Sequence, residues 1–455
     1  MRCFELLLTL GCAGYFVRLA TLPRLAAPWP LVLSLLLVAL LLTQVVIEGW
    51  RLPMLPVYAV VLAAVAEAIA PGTRTPGMLL LATTAAVGIL AMSAVAALLF
   101  QRLNITPPTG PLTVGVAALP AAARAPGAGG TEDLPPPVRY VWYPGVPPTM
   151  GQQLSAFLAA RFASGLNAAD RVPATSNLAP AHGKYPVLAY FGGWPEDGVQ
   201  NRSLICELVS RGFVVVTLQY PQTDVVARPM AFYESDARFQ HSVDLNDERT
   251  QIYARDASTA LDDLRKTPVY ADIVDLEHSG IFGYSFGGAV AAQATHLDPR
   301  FKAAVNLDGR HYATGRTDGV ETPYMFVGEL LLMPTEEMLR STDAVTRYEA
   351  RADLVDYTLL AKNLRRHGGI QVIIDGTLHP NFSDDVMRSP LGRLSGSGKI
   401  DPTRALFINN ALVVGFFQTQ LQGRPATWLT QVPREFPETH IQQWTHTGSV
   451  IQSLR

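Results

Sequence analysis

The chain has 455 residues, of which 16% are charged and 49% hydrophobic, and its net charge is −2 at pH 7. The charged fraction lies well below the ~25% of ordinary soluble domains, which indicates a membrane portion. A nearly neutral chain has no general attraction for polyanions, so nucleic acid is not expected as a partner. The three cysteines make no disulfide framework, and the nine histidines lack a metal-ligand spacing.

Residues 1–103 are predicted to form an all-α transmembrane region of three to four spans. Apolar runs cover 28–46, 52–70 and 78–100, and each is close to the ~20 residues that cross a bilayer as a helix. A shorter run at 3–16 predicts either a fourth span extended to about residue 22 or an uncleaved signal anchor. The runs are apolar on every face, which disfavours a buried bundle of a soluble protein.

Membrane orientation does not follow from the charges. With four spans, three arginines fall on each side, so the positive-inside rule is balanced. They are Arg2, Arg51 and Arg102 on one side, and Arg18, Arg24 and Arg74 on the other.

Residues 104–137 are rich in Pro, Gly and Ala and are predicted to be a linker, with a short strand at 112–117. From residue 138, short β-rich runs alternate with helical patterns, notably at 246–266, 286–297 and about 402–421. This alternation predicts an α/β domain over 138–425, with a mostly parallel sheet and helices on both faces. The predicted strands cover 138–144, 186–191, 213–220, 279–284, 302–307, 323–328 and 370–375. Residues 426–455 are predicted to be a C-terminal tail of undetermined role.

The string Gly-Tyr-Ser-Phe-Gly at 283–287 stands between a predicted strand and a predicted helix. That context is typical of a nucleophile elbow, in which Ser285 is exposed on a strained turn. Gly283 and Gly287 are expected because the strand and the helix crowd together there. The Phe286 N–H at the helix start is then a predicted oxyanion donor.

A serine nucleophile needs a histidine base, and the histidine needs an orienting acid. His379 follows the strand at 370–375 and is the predicted base, whereas His367 precedes that strand and is expected at the opposite edge. Two acids remain open from spacing alone. Asp308 follows the strand after the elbow, and Glu329 follows the next one.

The second oxyanion donor is predicted at a glycine pair that follows the strand at 186–191. Glycines allow the backbone to approach a substrate closely. We expect the Gly193 N–H to act together with that of Phe286.

Several strings resemble the bacterial relatives of the plasma-type platelet-activating factor acetylhydrolases, which are α/β-hydrolase lipases and esterases. The strings are Val-Trp-Tyr-Pro-Gly at 141–145, the stretch 179–193, the elbow at 283–289, Asn-Leu-Asp-Gly at 306–309 and His-Pro-Asn-Phe-Ser-Asp at 379–384. The resemblance covers roughly 108–425. It implies that Asp308 is the acid, with Glu329 the alternative, and that His379 is the base.

One departure from the family concerns the oxyanion loop. The family usually has His-Gly-x-Gly there, whereas this chain has Phe191-Gly192-Gly193-Trp194. The backbone donor is compatible with this change, but the shape of the acyl pocket is put in question.

Together these features predict a membrane-anchored serine carboxylic ester hydrolase that works through an acyl-enzyme and needs no metal or organic cofactor. The resemblance implies short-acyl lipid or phospholipid esters as substrates and a multi-pass location in a bacterial inner membrane. Two alternatives are a catalytically silent, membrane-tethered binding or sensor protein and another acyl hydrolase (a polyesterase, thioesterase or peptidase). The segment 221–244, around Met230 and Phe232, is a candidate cap over the site.

Overall fold

The computed structural model describes most of the chain, in two compact units that are treated separately below. The described residues are 2–21, 29–70, 75–99, 103, 105–120, 134–162, 172–193, 200–220, 230–387, 396–445 and 450–454. The first unit comprises Met1–Ile105, Pro148–Val172 and Met387–Gly392, and the second comprises Thr106–Pro147, Pro173–Val386 and Arg393–Arg455.

The first unit is helical. Its helices are α1 (Cys3–Thr21), α2 (Trp29–Glu48), α3 (Leu55–Ile69, preceded by a 3₁₀ turn at Leu52–Met54), α4 (Pro76–Leu99) and α5 (Met150–Phe162). Four helical segments, Cys3–Thr21, Trp29–Glu48, Leu52–Ile69 and Pro76–Leu99, are long and apolar enough to cross a membrane. The short N-terminal run is thus a helix of the same kind as the other three.

Buried charges join the helix ends at one end of this unit. The Glu5 carboxylate is fully buried and pairs with Arg2 at 2.6 Å and with Arg51 at 3.1 Å. Arg51 also donates to the Ala97 carbonyl, and Glu48 accepts the Phe4 backbone N–H. Pairing is what lets charged groups remain in an apolar environment, so these contacts bind the ends of α1, α2 and α4 together.

The second unit is an α/β structure in which the described strands form one sheet. Its order is β11-β10-β9-β8-β7-β6-β4-β5-β2-β1-β3. The strands are β1 (Thr113–Leu119), β2 (Val138–Gly145), β3 (Thr175–Ser176), β4 (Tyr185–Phe191), β5 (Val214–Gln219), β6 (Val274–Tyr284), β7 (Phe301–Leu307), β8 (Tyr324–Gly328), β9 (Gly369–Ile374), β10 (Thr439–Trp444) and β11 (Val450–Leu454). The six neighbouring strands β5, β4, β6, β7, β8 and β9 are parallel. Strand β2 pairs antiparallel with β5 on one side of this group, and β10 pairs antiparallel with β9 on the other.

Helices lie between these strands in the chain. They are α6 (Arg202–Ser210), α7 (Asp236–Lys266), α8 (Pro268–Ala271), α9 (Phe286–Leu297), α10 (Ala313–Thr317), α11 (Glu336–Leu339), α12 (Ala344–His367), α13 (Pro402–Gln422) and α14 (Trp428–Glu435). The central strands are buried on both faces, as their continuous apolar runs predict. Tyr253 of α7 packs against Phe191 and Phe286 on one side, and Phe417 of α13 packs against Phe282 on the other.

Both flanking segments of the predicted domain contribute to the sheet. Strand β1, at Thr113–Leu119 rather than 112–117, lies within the predicted linker and pairs with β2 along its length. Within the predicted tail, β10 pairs with β9, and β11 pairs with β10. Strand β1 corresponds to the short strand predicted at 112–117, whereas β10 and β11 were not predicted, because they lack the continuous apolar runs of the central strands.

The predicted cap segment 221–244 divides into different structures. Residues 221–229 lie outside the described residues, and Met230–Tyr233 form a 3₁₀ turn. From Asp236 onward the segment is the first part of α7, which begins earlier than the predicted 246. Ser235 caps the helix by accepting a hydrogen bond from the Arg238 N–H at 3.3 Å.

Candidate active site

Ser285 sits between strand β6 and helix α9 in a backbone conformation that L-residues rarely adopt. Its φ is 55° and its ψ is −122°. The turn is held because the Ser285 N–H donates to the Leu307 carbonyl at 2.8 Å and its carbonyl accepts the Gly288 N–H at 2.9 Å. A conformation of this kind costs on the order of 1–3 kcal/mol and clusters at functional sites.

The two elbow glycines are required by close backbone contacts. A Cβ on Gly283 would lie 2.1 Å from the Gly287 carbonyl oxygen, and one on Gly287 would lie 2.2 Å from the Phe191 carbonyl oxygen. This is the crowding of strand against helix that the sequence pattern predicts. It brings β4, β6 and α9 together at the serine.

The predicted serine, histidine and acid form one chain of hydrogen bonds. His379 Nε2 lies 2.9 Å from Ser285 Oγ, and His379 Nδ1 lies 2.7 Å from Asp308 Oδ2. The Asp308 side chain is 5% exposed, whereas that of His379 is 44% exposed. The Asp308 side chain is therefore shielded from water, while the His379 ring is partly open to solvent.

Tyr284 contacts both the ring and the backbone of His379. Its ring stacks on the His379 imidazole with centroids 5.0 Å apart, and its hydroxyl donates to the His379 carbonyl at 3.2 Å. Burial raises the pKa of Tyr284, so the hydroxyl stays protonated as a donor. Sequence reasoning did not identify this residue, although it is the neighbour of Ser285.

Asp308 lies in a turn that the Asn306 side chain stabilises. Asp308 has a φ of 56°, and the side chain of Asn306 bonds both the N–H and the carbonyl of Gly309, each at 2.8 Å. Asn306 is fully buried. Sequence reasoning missed it, and its signal was a single amide within an otherwise apolar strand.

The alternative acid, Glu329, lies beside Asp308 but contacts it through its backbone. The Glu329 N–H donates to Asp308 Oδ1 at 2.9 Å. Among the described residues, its Oε2 is buried without a hydrogen-bond partner. Burial and then the Asp308 carboxylate raise the pKa of Glu329 to about 7. The structure thus brings the histidine ring to Asp308 rather than to this carboxyl group.

Two other histidines are engaged elsewhere. His367 ends α12, before β9, and its Nε2 contacts the Asp318 carbonyl at 2.7 Å. His311 is buried and contacts Asp356 and Tyr324.

Gly193 lies directly against the serine. A Cβ on Gly193 would be 2.6 Å from Ser285 Cβ, so its backbone borders the Ser285 side chain. Its N–H donates to Gln200 Oε1 at 2.6 Å. Sequence reasoning did not single out Gln200, because no motif marks it. Phe286 is the first residue of α9, and Trp194, the departure from the family pattern, lies outside the described residues.

No cluster of three or more His, Cys, Asp or Glu side chains suited to a metal ion occurs within the described ranges.

Comparison with known proteins agrees with this architecture. A family model described as platelet-activating factor acetylhydrolase, isoform II, matches residues 261–428. That range contains the elbow, Asp308 and His379, and the match confirms the predicted resemblance over this part of the chain. No curated protein sequence matches.

A solved structure, a ferulic acid esterase from Streptomyces cinnamoneus, is similar in fold. It is 20% identical, with a TM-score of 0.52, over 77% of this chain and 100% of that one. At this identity the likeness shows the fold alone. The fold and the family match together support the conclusion that this chain is a carboxylic ester hydrolase with the α/β-hydrolase fold.

Proposed function

We propose that the protein is a membrane-anchored serine esterase whose triad is Ser285, His379 and Asp308. The observation that carries the proposal is the continuous hydrogen-bond chain from Ser285 Oγ through the imidazole to Asp308, with distances of 2.9 and 2.7 Å. These are ordinary hydrogen-bond lengths, so the proton can pass without rearrangement of the side chains.

In the first half-reaction, Ser285 Oγ attacks the ester carbonyl carbon while His379 Nε2 takes its proton. Asp308 accepts a hydrogen bond from Nδ1–H and stabilises the imidazolium that forms. The imidazolium then protonates the departing alkoxide, which leaves as an alcohol, and the acyl group remains on Ser285. Water then attacks the acyl carbon while His379 takes its proton. The histidine returns this proton to Ser285 Oγ, and the carboxylic acid product leaves.

The negative charge of each tetrahedral intermediate falls on the former carbonyl oxygen. We assign the Phe286 N–H, at the N-terminus of α9, and the Gly193 N–H as its donors. The helix dipole adds to the first donor, and the close approach of the Gly193 backbone to Ser285 supports the second. Losing one such donor typically costs about 10²–10³ in turnover.

Apolar surface near the histidine supports a lipid or other apolar ester as the substrate class. Leu378, the residue before His379, is exposed, as are Leu330, Leu332 and Met333 after Glu329. The family match supports a short acyl group, as its name refers to acetyl esters. The four apolar helices support attachment to a membrane, which we propose to be a bacterial inner membrane.

The test is labelling by a fluorophosphonate probe together with turnover of p-nitrophenyl acetate, butyrate and octanoate by the full chain in detergent. We expect wild-type protein to label and to prefer the shorter esters. Ser285→Ala should lose labelling and at least about 10⁴-fold in turnover, because no other group replaces the nucleophile.

Ser258→Ala on α7 is the matched control, since it removes a serine hydroxyl remote from the triad. It should keep both activities. Folded wild-type protein that neither labels nor turns over any ester would instead support the silent binding protein. Ser285-dependent turnover of thioesters or peptides in preference to oxygen esters would support another acyl hydrolase.

A further inference from the structure

The inferred oxyanion donor at Gly193 is already occupied in the free protein. Its N–H donates to Gln200 Oε1 at 2.6 Å, and the Gly193 backbone lies against the Ser285 side chain. A backbone N–H carries one hydrogen, so it makes one strong hydrogen bond at a time. An oxyanion that uses this donor must therefore take it from the glutamine.

The main chain at Gln200 is anchored to the segment that carries His379. The Gln200 carbonyl accepts the Asp384 N–H at 2.7 Å. The next residue, Asn201, donates through Nδ2 to the Phe382 carbonyl at 2.7 Å and accepts from the Tyr190 hydroxyl at 2.8 Å. Gln200 itself is 7% exposed, so its side chain is held against Gly193 by a main chain that these hydrogen bonds fix in position.

We propose that Gln200 is a positioning residue that gates the oxyanion hole: its side-chain carbonyl holds the Gly193 N–H until the oxyanion forms and displaces it. This inference rests on the function proposed above, because it needs Ser285 to generate an oxyanion.

The gate discriminates between the ground state and the transition state. The carbonyl oxygen of a bound ester is a neutral acceptor, as is the Gln200 amide, so exchanging one for the other gains little. An oxyanion is a charged acceptor, and charge-assisted hydrogen bonds are roughly twice as strong as neutral ones. The Gly193 donor is thereby engaged mainly in the transition state, which is the interaction that accelerates a reaction rather than tightening substrate binding.

The test compares steady-state kinetics of wild type, Gln200→Met and Gln200→Glu with p-nitrophenyl butyrate. Methionine has a similar volume but no amide, so the N–H becomes available to both ground state and oxyanion. We expect KM to fall by about 3- to 10-fold with little change in kcat. Glutamate offers a charged acceptor that holds the N–H and repels the oxyanion, so kcat/KM should fall by about 10²-fold.

Binding of 1,1,1-trifluoroacetone, which forms a hemiketal oxyanion on the serine, supplies a second readout. Inhibition should strengthen in Gln200→Met and weaken in Gln200→Glu. Opposite directions for two substitutions at one position are not expected from a loss of folding, which would lower both.

A fall in kcat/KM and in trifluoroacetone affinity for Gln200→Met as well as Gln200→Glu would overturn the gate and make Gln200 a support for the loop. Unchanged kinetics in both variants would also overturn it. In either case the proposed function stands, provided that wild type shows Ser285-dependent turnover. Absence of that turnover would instead overturn the proposed function and this inference with it.

Discussion

Strands β7 and β8 are neighbours in the sheet, and each is followed at the same edge by a carboxylate. Asp308 follows β7 in a turn with positive φ, is almost fully buried, and accepts hydrogen bonds from His379 and from the Glu329 backbone. Glu329 follows β8, and its Oε2 has no hydrogen-bond partner among the described residues. The two carboxylates therefore share a position at a strand end, but only Asp308 accepts a hydrogen bond from the His379 ring.

This difference shows what makes one of two adjacent acids fit for orienting a histidine. A buried carboxylate stays ionised only when donors satisfy it. Asp308 has such donors on both oxygens, while burial and the neighbouring charge raise the pKa of Glu329 to about 7. Substitutions at the two turns can separate these properties.

The largest effect is expected from Asp308→Asn. The amide carries no charge that would stabilise an imidazolium, and its NH2 group can donate to Nδ1 and hold His379 in the wrong tautomer. We expect kcat for p-nitrophenyl butyrate to fall by about 10³- to 10⁴-fold, with the protein still folded.

Glu329→Gln is the paired control and should keep kcat within a few-fold of wild type. If the two results were reversed, the acid would be Glu329, the alternative that strand spacing left open, and the hydrogen-bond chain described above would not be the working one.

An intermediate effect is expected from Asn306→Ala, which leaves Asp308 in place but releases its turn. The substitution removes two hydrogen bonds to Gly309 and leaves buried backbone groups without partners. This should cost about 1–3 kcal/mol of unfolding free energy and lower kcat by about 10- to 100-fold, since small misplacements of catalytic groups are costly.

Asn363→Ala is the matched control for that prediction. Asn363 is also a buried asparagine that donates to a backbone carbonyl, that of Arg316, away from the serine. It should lower stability without lowering kcat. Equal losses of kcat in the two variants would show that Asn306 acts on folding alone.

The sequence made the elbow, the histidine and the two candidate acids visible because each follows a strand, and strand ends can be recognised from local patterns. The choice between Asp308 and Glu329 came from family resemblance, since it depends on donors that converge from separate parts of the chain. Gln200 and Asn306 were not predicted for the same reason. Their roles arise from contacts with Gly193 and Gly309 that only the folded chain creates.

Strands β10 and β11 were missed for a different physical reason, whereas β1 was predicted as a short strand within the linker. Strands β1, β10 and β11 lie outside the predicted catalytic domain, within segments interpreted as a linker and a tail. An edge strand is covered less fully than a central one, so its sequence does not need a continuous apolar run. The central strands, which are buried on both faces, carry that run and were recognised.

The smallest effect is expected from the pH dependence of Glu329. The pKa of this carboxyl group is raised to about 7 in the folded protein, against an ordinary value near 4.3. Below about pH 4 the group is protonated in both the folded and the unfolded states. Between these two pKa values the folded state keeps a proton that the unfolded state has lost, so the contribution of Glu329 to stability falls as the pH rises through 7.

Glu329→Gln replaces the carboxyl group with a neutral side chain of nearly the same shape, so it mimics the protonated form at every pH. The melting temperatures of the catalytic unit in wild type and variant should therefore coincide near pH 4, and the variant should be more stable at pH 8. Partial solvent screening limits the difference to on the order of 1 kcal/mol. Glu321→Gln, at an exposed position, should show no such divergence. A wild type that gained stability over Glu329→Gln above pH 7 would mean that the folded protein stabilises Glu329 as a carboxylate, and the contrast between the two turns would disappear.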